Sequence, residues 1–260
     1  MANQPVSIVV PTYREVDNIP VLTERLFAAL KRAGMVAELI IVDDDSRDGT
    51  QETARKLAET YPIRLVTRTQ ERGLSSAVVR GFQEAKHDIL LCMDADLSHP
   101  PESVPDVVQP ILENAAEFCI GSRYTKGGTA KEDWGLLRRI NSWGATLLAR
   151  PLTTAKDPMA GFFCLRRSTL ERAEAAGLNP IGYKIALEIM VKARCRRPAE
   201  VPIEFSDRLH GHSKLTLRQQ LLYLRHLAGL YRFRWPIGAP LLLIGIVVGV
   251  AWALFVAIRT

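Results

Sequence analysis

The chain has 260 residues, of which 47% are hydrophobic and 24% are charged, enough for one large globular domain and not typical of a disordered chain. Its net charge of +6 is carried mainly by basic residues in the C-terminal half, without a base-reading motif, so we expect no specific nucleic acid partner. The four cysteines form no C-x-x-C pair, which argues against a zinc site and for reduced core thiols.

The first half of the chain alternates apolar runs of strand length with segments of helical periodicity. Strands are predicted near 7–10, 38–42, 63–66 and 89–93, with helices at 18–33, from 50 to about 59, and from the Gly73 turn to Phe82. This β-α-β-α-β-α-β order predicts a parallel, doubly wound sheet. No G-x-G-x-x-G follows the first strand, so a dinucleotide-binding fold is not expected.

Acidic residues follow the second and fourth strands, at the sheet edge where open α/β sheets bind ligands. Asp94 and Asp96 come directly after the fourth strand, and two neighbouring carboxylates there are suited to a divalent cation on a diphosphate. Asp43 and Asp44 can accept hydrogen bonds from a nucleobase or ribose. We interpret Asp45 and Asp48 as turn and helix-capping residues.

Seven blocks, in order along residues 5–215, resemble the signatures of glycosyltransferase family 2, and within it the polyprenyl-phosphate branch that contains the dolichol-phosphate mannose synthases. The blocks are VPTYRE at 10–15, IVDDDSRDGT at 41–50, DADLSHPPE at 94–102, GSRY at 121–124, DPMAGFF at 157–163, GYK at 182–184 and RLHGHSKL at 208–215. The resemblance implies a Rossmann-like GT-A fold over residues 1–207 and transfer of a sugar from a nucleotide diphosphate to a lipid phosphate.

The resemblance also implies roles for individual residues. Nucleotide contacts are expected from Pro11, Tyr13, Glu15, Asp43 and Asp94, and Mg²⁺ or Mn²⁺ is expected on Asp94 and Asp96. Ser98 is included as a metal ligand, although relatives often have Gln there and a serine hydroxyl is a shorter and weaker ligand. The residues expected to be catalytic are Asp96, Arg123, Arg208 and Lys214. The residues expected at the lipid phosphate are Arg123, Arg138, Arg139, Arg208, Ser213 and Lys214.

Two further segments have patterns that predict their structure. Residues 121–131 are polar and glycine-rich and predict a mobile loop beside the site. Residues 134–152 carry an apolar stripe at helical spacing, with Arg138 and Arg139 on one turn, and this predicts a helix packed on its own domain.

The C-terminal part of the sequence predicts attachment to a membrane. Residues 208–235 interleave basic and apolar residues, which predicts an amphipathic juxtamembrane helix. Residues 236–260 contain an uncharged run, Leu241 to Ile258, long enough to be a single transmembrane helix. Basic residues before this run place the catalytic domain on the cytoplasmic side.

A lipid phosphate is already anionic at neutral pH, so it needs cations to position it and no base to activate it. We therefore interpret Glu188 as a structural acid, with the role of base as the alternative. A processive synthase is disfavoured because Tyr231 stands where Q-x-x-R-W requires glutamine, and a nucleotidyltransferase because no glycine-rich loop follows the first strand. A non-catalytic, membrane-anchored nucleotide-sugar-binding subunit remains the alternative from another class.

The donor is left open at this stage. GDP-mannose is favoured by the overall resemblance, and UDP-glucose or another UDP-sugar is the alternative. The residues fix neither the choice between Mg²⁺ and Mn²⁺ nor whether the chain forms a homo-oligomer.

Overall fold

The computed structural model of the protein describes residues 4–130, 144–206 and 217–236. Within these ranges the strands are β1 (Val6–Thr12), β2 (Ala37–Asp43), β3 (Ile63–Thr67), β4 (Ile89–Cys92), β5 (Phe118–Ser122), β6 (Thr129–Ala130), β7 (Phe163–Arg166), β8 (Ala199–Pro202) and β9 (Glu204–Phe205). The helices are α1 (Asn18–Arg32), α2 (Thr50–Leu57), α3 (Leu74–Glu84), α4 (Val104–Leu112), α5 (Arg167–Ala175), α6 (Ile185–Lys192) and α7 (Leu217–Arg234). Residues 144–149 are also helical.

In the described chain, seven strands form one sheet in the order β3-β2-β1-β4-β7-β5-β8. Strands β1 to β4 are parallel, which confirms the parallel sheet predicted for the first half of the chain. β5 and β8 run parallel to each other, whereas β7 is antiparallel to both of its neighbours, β4 and β5. The sheet is thus mostly parallel, with a single reversed strand near its centre.

Strand register brings the functional loops to one edge of the sheet. Thr12 lies opposite Asp43, so β1 and β2 end at the same level. β4 ends beside them, and the amide of Met93 donates to the carbonyl of Val9. Because β7 is reversed, it begins where β4 ends, with Phe163 opposite Cys92. The residues just before β7 therefore meet the residues just after β4.

The core has two layers, one on each face of the sheet, because side chains along a strand alternate between the two faces. Ile8 and Val10 of β1 pack with α1 and α4 on one face, and Val9 packs with α3, α6 and α7 on the other. Gly81 of α3 permits the close approach on the second side, since a Cβ there would lie 2.3 Å from Cγ1 of Val9. The result is a sheet covered by helices on both faces, with the loops after β1, β2 and β4 at one edge.

Two local predictions can be compared with the structure. Residues 121–131 were predicted to be a loop, but Gly121 and Ser122 end β5, and Thr129–Ala130 pairs in parallel with Glu204–Phe205 and so forms β6. Of the helix predicted at 134–152, the part from 144 to 149 is helical and Arg150–Leu152 is a 3₁₀ turn.

The described residues include only part of the C-terminal region for which membrane attachment is predicted. α7 lies within the predicted juxtamembrane segment 208–235 and packs on α6. Among the described helices, none combines the length and the apolar character that crossing a bilayer requires. The predicted span falls outside the described residues from position 237 onward.

Candidate active site

The carboxylate of Asp43 organises the loops that follow β1 and β2. It is completely buried, and its two oxygens accept four hydrogen bonds. Oδ2 accepts from the hydroxyls of Thr12 at 2.9 Å and Ser46 at 2.7 Å, and Oδ1 accepts from the amide of Ser46 at 2.8 Å and Nε2 of Gln51 at 3.1 Å. These bonds take up the acceptor capacity of a carboxylate. In this conformation Asp43 shapes the site through its loops, and its contact with a nucleoside stays a prediction.

The neighbouring carboxylate, Asp44, forms a buried ion pair that the sequence analysis did not anticipate. Its Oδ1 accepts from Nε of Arg68 at 2.7 Å, and its Oδ2 accepts from the amide of Gly73 at 2.8 Å. Arg68 also donates to the hydroxyl of Ser76 and to the carbonyl of Gly73, both at 2.9 Å. The pair ties the end of β2 to the turn before α3, and no pattern around Arg68 in the sequence signals this.

The other predicted nucleotide contacts lie around the turn after β1. Pro11 is buried within the strand, opposite Val42. The ring of Tyr13 has the guanidinium carbons of Arg14 and Arg72 at 5.3 and 5.4 Å from its centroid. The amide of Glu15 donates to the hydroxyl of Thr50 at 3.0 Å. Tyr13 therefore offers an aromatic surface with two cations, suited to an anionic nucleotide.

The loop after β4 holds the two carboxylates predicted to bind metal. The amide of Asp94 donates to Nδ1 of His99 at 3.1 Å, which leaves the imidazole proton on Nε2. Oδ1 of Asp96 accepts from the amide and the hydroxyl of Ser98, at 3.1 and 2.6 Å. Ser98 is buried, and its hydroxyl donates to the carboxylate that was predicted to share the metal with it. The geometry gives Ser98 a positioning role, and its own ligation stays a prediction.

The residues before β7 form the other wall of this loop. A Cβ at Gly161 would lie 3.3 Å from Oδ2 of Asp94 and 3.3 Å from Cε1 of His99. The imidazole of His99 is stacked on Phe162 with ring centroids 5.3 Å apart, and Phe205 contacts its edge at 5.5 Å. The glycine is thus the residue type that allows this close approach to the carboxylate.

Arg123, at the end of β5, is held by a bidentate ion pair. Its Nε and one terminal nitrogen donate to the two oxygens of Asp157 at 2.8 and 2.9 Å, and its amide donates to the same carboxylate at 3.1 Å. Asp157 is completely buried. The guanidinium also lies 5.2 Å from the ring centroids of both Tyr124 and Phe205. The cation that is predicted to contact phosphate is therefore rigidly oriented, and the contact itself stays a prediction.

Lys184 is a cation in the same region as Arg123, and its sequence pattern alone predicts no role for it. It precedes α6, and its Nζ donates to the carbonyl of Met159 at 2.9 Å. Burial lowers the pKa of Lys184 to about 8, and the positive charge of Arg123 acts in the same direction, while the carboxylates of Asp157 and Asp94 oppose it. In the sequence, the only indication that Lys184 has a function is its position in the GYK block at 182–184. No acidic residue next to it suggests a structural ion pair.

Glu188 is occupied by structural hydrogen bonds. Its Oε1 accepts from the amide of Asn179 at 2.7 Å, and its Oε2 lies 2.5 Å from Nε2 of His226 on α7. Both side chains are buried. This agrees with the interpretation of Glu188 as a structural acid, because each of its oxygens already has a partner within the protein.

Three of the five non-glycine residues with positive φ in the described part of the chain lie at this edge of the sheet. Arg14, Asp45 and Leu97 have positive φ angles of 62°, 55° and 63°, and they lie in the loops after β1, β2 and β4 respectively. Such conformations are unfavourable for Arg14 and Leu97 and less so for Asp45, and they persist where surrounding contacts impose them. The three loops are therefore set by tertiary contacts rather than by local preference.

The chemistry of the residues fits a divalent cation. Asp94 and Asp96 supply the hard oxygen ligands that Mg²⁺ and Mn²⁺ prefer. Among residues 4–130, 144–206 and 217–236, no group of three or more His, Cys, Asp or Glu side chains could hold a metal by itself. A two-carboxylate site suits a cation that keeps water and substrate phosphates in its remaining positions.

Five of the predicted site residues cannot be placed. Arg138, Arg139, Arg208, Ser213 and Lys214 lie outside the described residues. Ser206, the last residue of the range 144–206, donates its amide to the carbonyl of Ser98 at 3.2 Å and so lies beside the carboxylate loop.

The mostly parallel sheet, with two carboxylates after its fourth strand and a fixed arginine after its fifth, defines a glycosyltransferase domain of the GT-A type. The family model described as glycosyl transferase family 2 matches residues 7–173. A dolichol-phosphate mannosyltransferase of Saccharomyces cerevisiae is 45% identical over 236 residues, which cover 88% of each chain. An enzyme of the same name from Pyrococcus furiosus is 43% identical over 236 residues, covering 89% of this chain and 65% of the relative.

Among solved structures, the glucosyl-3-phosphoglycerate synthase of Mycobacterium tuberculosis, in a complex with Mn²⁺, UDP and glucosyl-3-phosphoglycerate, superposes with a TM-score of 0.60. It is 19% identical, with 91% of this chain and 81% of that chain covered, and this likeness concerns the fold. The chain belongs to glycosyl transferase family 2, in the branch that contains the dolichol-phosphate mannosyltransferases. It spans about two thirds of the length of the Pyrococcus relative.

Proposed function

We propose that the protein transfers mannose from GDP-mannose to a polyprenyl monophosphate of the dolichyl type, with Mg²⁺ or Mn²⁺ and with inversion at the anomeric carbon. The observation that carries the proposal is the pair Asp94 and Asp96 in the loop after β4, with Arg123 held in a fixed orientation after β5. The names of the two relatives support the sugar and the class of acceptor.

In the proposed reaction an oxygen of the lipid phosphate attacks the anomeric carbon. A new carbon–oxygen bond forms there as the bond to GDP breaks, and GDP leaves with the bonding electron pair. A bound divalent cation would stabilise the charge of the leaving diphosphate. Asp94 and Asp96 would hold that cation, and Arg123, Arg208 and Lys214 would keep the two anionic reactants together.

The proposed acceptor accounts for the surroundings of Glu188. A hydroxyl acceptor must lose a proton and needs a base, whereas a phosphate monoester is anionic at neutral pH. Both oxygens of Glu188 are engaged, with Asn179 and with His226. A mechanism without a base is consistent with the engagement of both Glu188 oxygens and with the pairing of Asp157 with Arg123.

We also propose that the protein is attached to a membrane by one C-terminal helix, with the catalytic domain on the cytoplasmic side. α7 leaves Leu221 and Leu224 exposed by 60% and 51%, and Leu147 on the adjacent helical segment is exposed by 53%. The hydroxyl of Tyr223 donates to the carbonyl of Ala145 at 2.7 Å and so joins the two segments. Exposed leucines of this kind, on a basic helix just before the predicted span, support contact with lipid.

Transfer of radiolabelled sugar into an organic-extractable lipid tests the function. The full chain in detergent receives polyprenyl phosphate and Mn²⁺ or Mg²⁺, with GDP-mannose and UDP-glucose in parallel reactions. We expect labelled lipid from GDP-mannose, none after addition of EDTA, and none from Asp94→Asn. Asp106→Asn, an exposed acid on α4, is the matched control and should retain activity.

The other outcomes separate the alternatives. Labelled lipid from UDP-glucose alone would assign the other donor. Absence of any lipid product, from folded protein that still binds GDP by calorimetry, would overturn the transferase proposal and leave a nucleotide-sugar-binding subunit. Asp94→Asn must keep the thermal midpoint of the wild type for its loss of activity to count.

A further inference from the structure

Lys184 lies at the junction of the elements that build the site. It ends the turn that begins at Gly182, whose φ of +71° gives the left-handed bend, and α6 starts at the next residue. The carbonyl of Gly182 accepts from the amide of Ser75 at 3.3 Å, so the turn is tied to the start of α3. Tyr183, next to Lys184, lines a small cavity together with Asp94.

The ammonium of Lys184 has a carbonyl and an aromatic ring as partners, whereas a partly buried cation is usually paired with a carboxylate. Its Nζ donates to the carbonyl of Met159 at 2.9 Å and lies 4.6 Å from the ring centroid of Tyr183. Among the described residues it forms no ion pair with a carboxylate. Arg123, in contrast, makes a bidentate pair with Asp157.

The electrostatic surroundings of Lys184 favour an anion. Burial and the like charge of Arg123 oppose its protonated form, whereas Asp157 and Asp94 support it from a distance. The side chain of Lys184 is partly buried, and charges withdrawn from water are usually paired, because leaving a charge without a partner costs free energy. An anionic group that entered beside Asp94 would give Lys184 a partner of opposite charge. It would also be attracted to a cation bound by the carboxylates.

We propose that the ammonium of Lys184 binds a phosphate oxygen of the reacting substrates and belongs to the substrate-binding machinery. The phosphate is either the diphosphate of the nucleotide donor or the monophosphate of the lipid, which have the same chemistry towards an ammonium group. The inference rests on the proposed function, because it assumes that phosphorylated substrates meet at this edge of the sheet.

The chain supplies a matched control on the same helix. Nζ of Lys192, at the other end of α6, donates to the carbonyl of Ala176 at 3.3 Å and lies 4.2 Å from the ring centroid of Phe233. It therefore has the same kinds of partner as Lys184, a backbone carbonyl and an aromatic ring, but it lies away from the carboxylate loop. A purely structural role should make Lys184→Met and Lys192→Met equally harmful.

The experiment measures three quantities on Lys184→Met, Lys184→Arg and Lys192→Met in the full chain. They are the affinities for GDP and for guanosine with Mn²⁺ by calorimetry, the KM for polyprenyl phosphate in the transfer assay, and the thermal midpoint. If the donor diphosphate is bound, Lys184→Met should weaken GDP binding by about ten-fold or more and leave guanosine binding unchanged. If the lipid phosphate is bound, GDP affinity should persist and the KM for the lipid should rise by about ten-fold.

Lys184→Arg should recover part of the lost affinity because it keeps the charge, and Lys192→Met should match the wild type. Wild-type values for GDP affinity and lipid KM in Lys184→Met would overturn this inference and leave the proposed function standing. A loss in both methionine variants, together with a lower thermal midpoint, would also overturn it, because the lysines would then be structural. Failure of the wild type to transfer sugar is detected separately, and the GDP measurement still reports on Lys184.

Discussion

His99 accepts a hydrogen bond at its Nδ1 from the backbone amide of Asp94, 3.1 Å away, and so closes the carboxylate loop on itself. The imidazole is held in turn by stacking on Phe162 from the segment before β7. A residue five positions along the chain thereby fixes the backbone of the first carboxylate. The conformation of the loop after β4 therefore depends on the buried imidazole of His99.

Replacing His99 by phenylalanine should keep the stacking and remove the acceptor. The amide of Asp94 would lose its bond to Nδ1, at a cost of about 1–3 kcal/mol in the free energy of unfolding. We expect weaker binding of Mn²⁺ together with GDP, measured by calorimetry, and a lower urea midpoint. His99→Asn, which retains an acceptor near Nδ1, is the control for the hydrogen bond, and equal metal affinity in His99→Phe and the wild type would refute the role of the bond.

Ser98→Ala should weaken the metal site without removing a carboxylate. The hydroxyl of Ser98 donates to Oδ1 of Asp96 at 2.6 Å, and loss of a partner that orients a ligand typically lowers metal affinity by about 10–100-fold. Titration of Mn²⁺ followed by electron paramagnetic resonance measures this affinity. Ser98→Gln, which supplies an amide oxygen as a direct ligand, should bind Mn²⁺ more tightly than Ser98→Ala, and the reverse order would contradict this account.

Asp43→Asn should destabilise the fold and the nucleotide site together. The amide NH₂ would face groups that now donate hydrogen bonds to the carboxylate, so we expect a loss of about 1–3 kcal/mol in the free energy of unfolding. Urea denaturation and GDP calorimetry measure the two effects. Asp45→Asn is the matched control, because asparagine tolerates the positive φ found at that position. If Asp43→Asn is as stable as Asp45→Asn, the network does not organise the loops.

Arg123→Lys should reduce turnover although it preserves the charge. Lysine cannot reproduce the two parallel bonds to Asp157, so the cation would lose its fixed orientation. We expect kcat to fall by about ten-fold or more, with a smaller change in GDP affinity. Asp157→Asn should lower kcat in the same direction, and a lysine variant with wild-type kcat would show that the orientation of this cation is unimportant.

Glu188→Gln should reduce stability and spare catalysis. Its partner His226 is buried on α7, and leaving a buried hydrogen-bonding group without its partner costs about 1–3 kcal/mol. A double-mutant cycle with His226→Gln, followed by urea denaturation, measures the coupling between α6 and α7. A thousand-fold lower kcat in a Glu188→Gln protein of normal stability would restore the alternative in which this residue is a base.

The sequence predicted the first half of the sheet well, because parallel βαβ units repeat a strong pattern of buried strands and amphipathic helices. It did not predict that β7 is antiparallel, since the apolar run at 162–165 has no feature that sets its direction. The loop carboxylates were found because acids at strand ends are conspicuous. Arg68 and Lys184 were missed because their partners are distant in sequence, and such contacts arise only from tertiary packing.

The reversed central strand has a consequence for the order in which the chain can assemble as it leaves the ribosome. β1 to β4 can pair among themselves once residue 92 has been synthesised, but within the sheet β5 pairs with β7 and β8, which come more than forty residues later in the chain. Nascent chains fold from the N-terminus as their contacts become available. The loops after β1, β2 and β4 and the cations Arg123 and Lys184 thus belong to two successive stages of synthesis. The four residues of β7, Phe163–Arg166, join the two parts of the sheet by pairing with β4 on one side and β5 on the other.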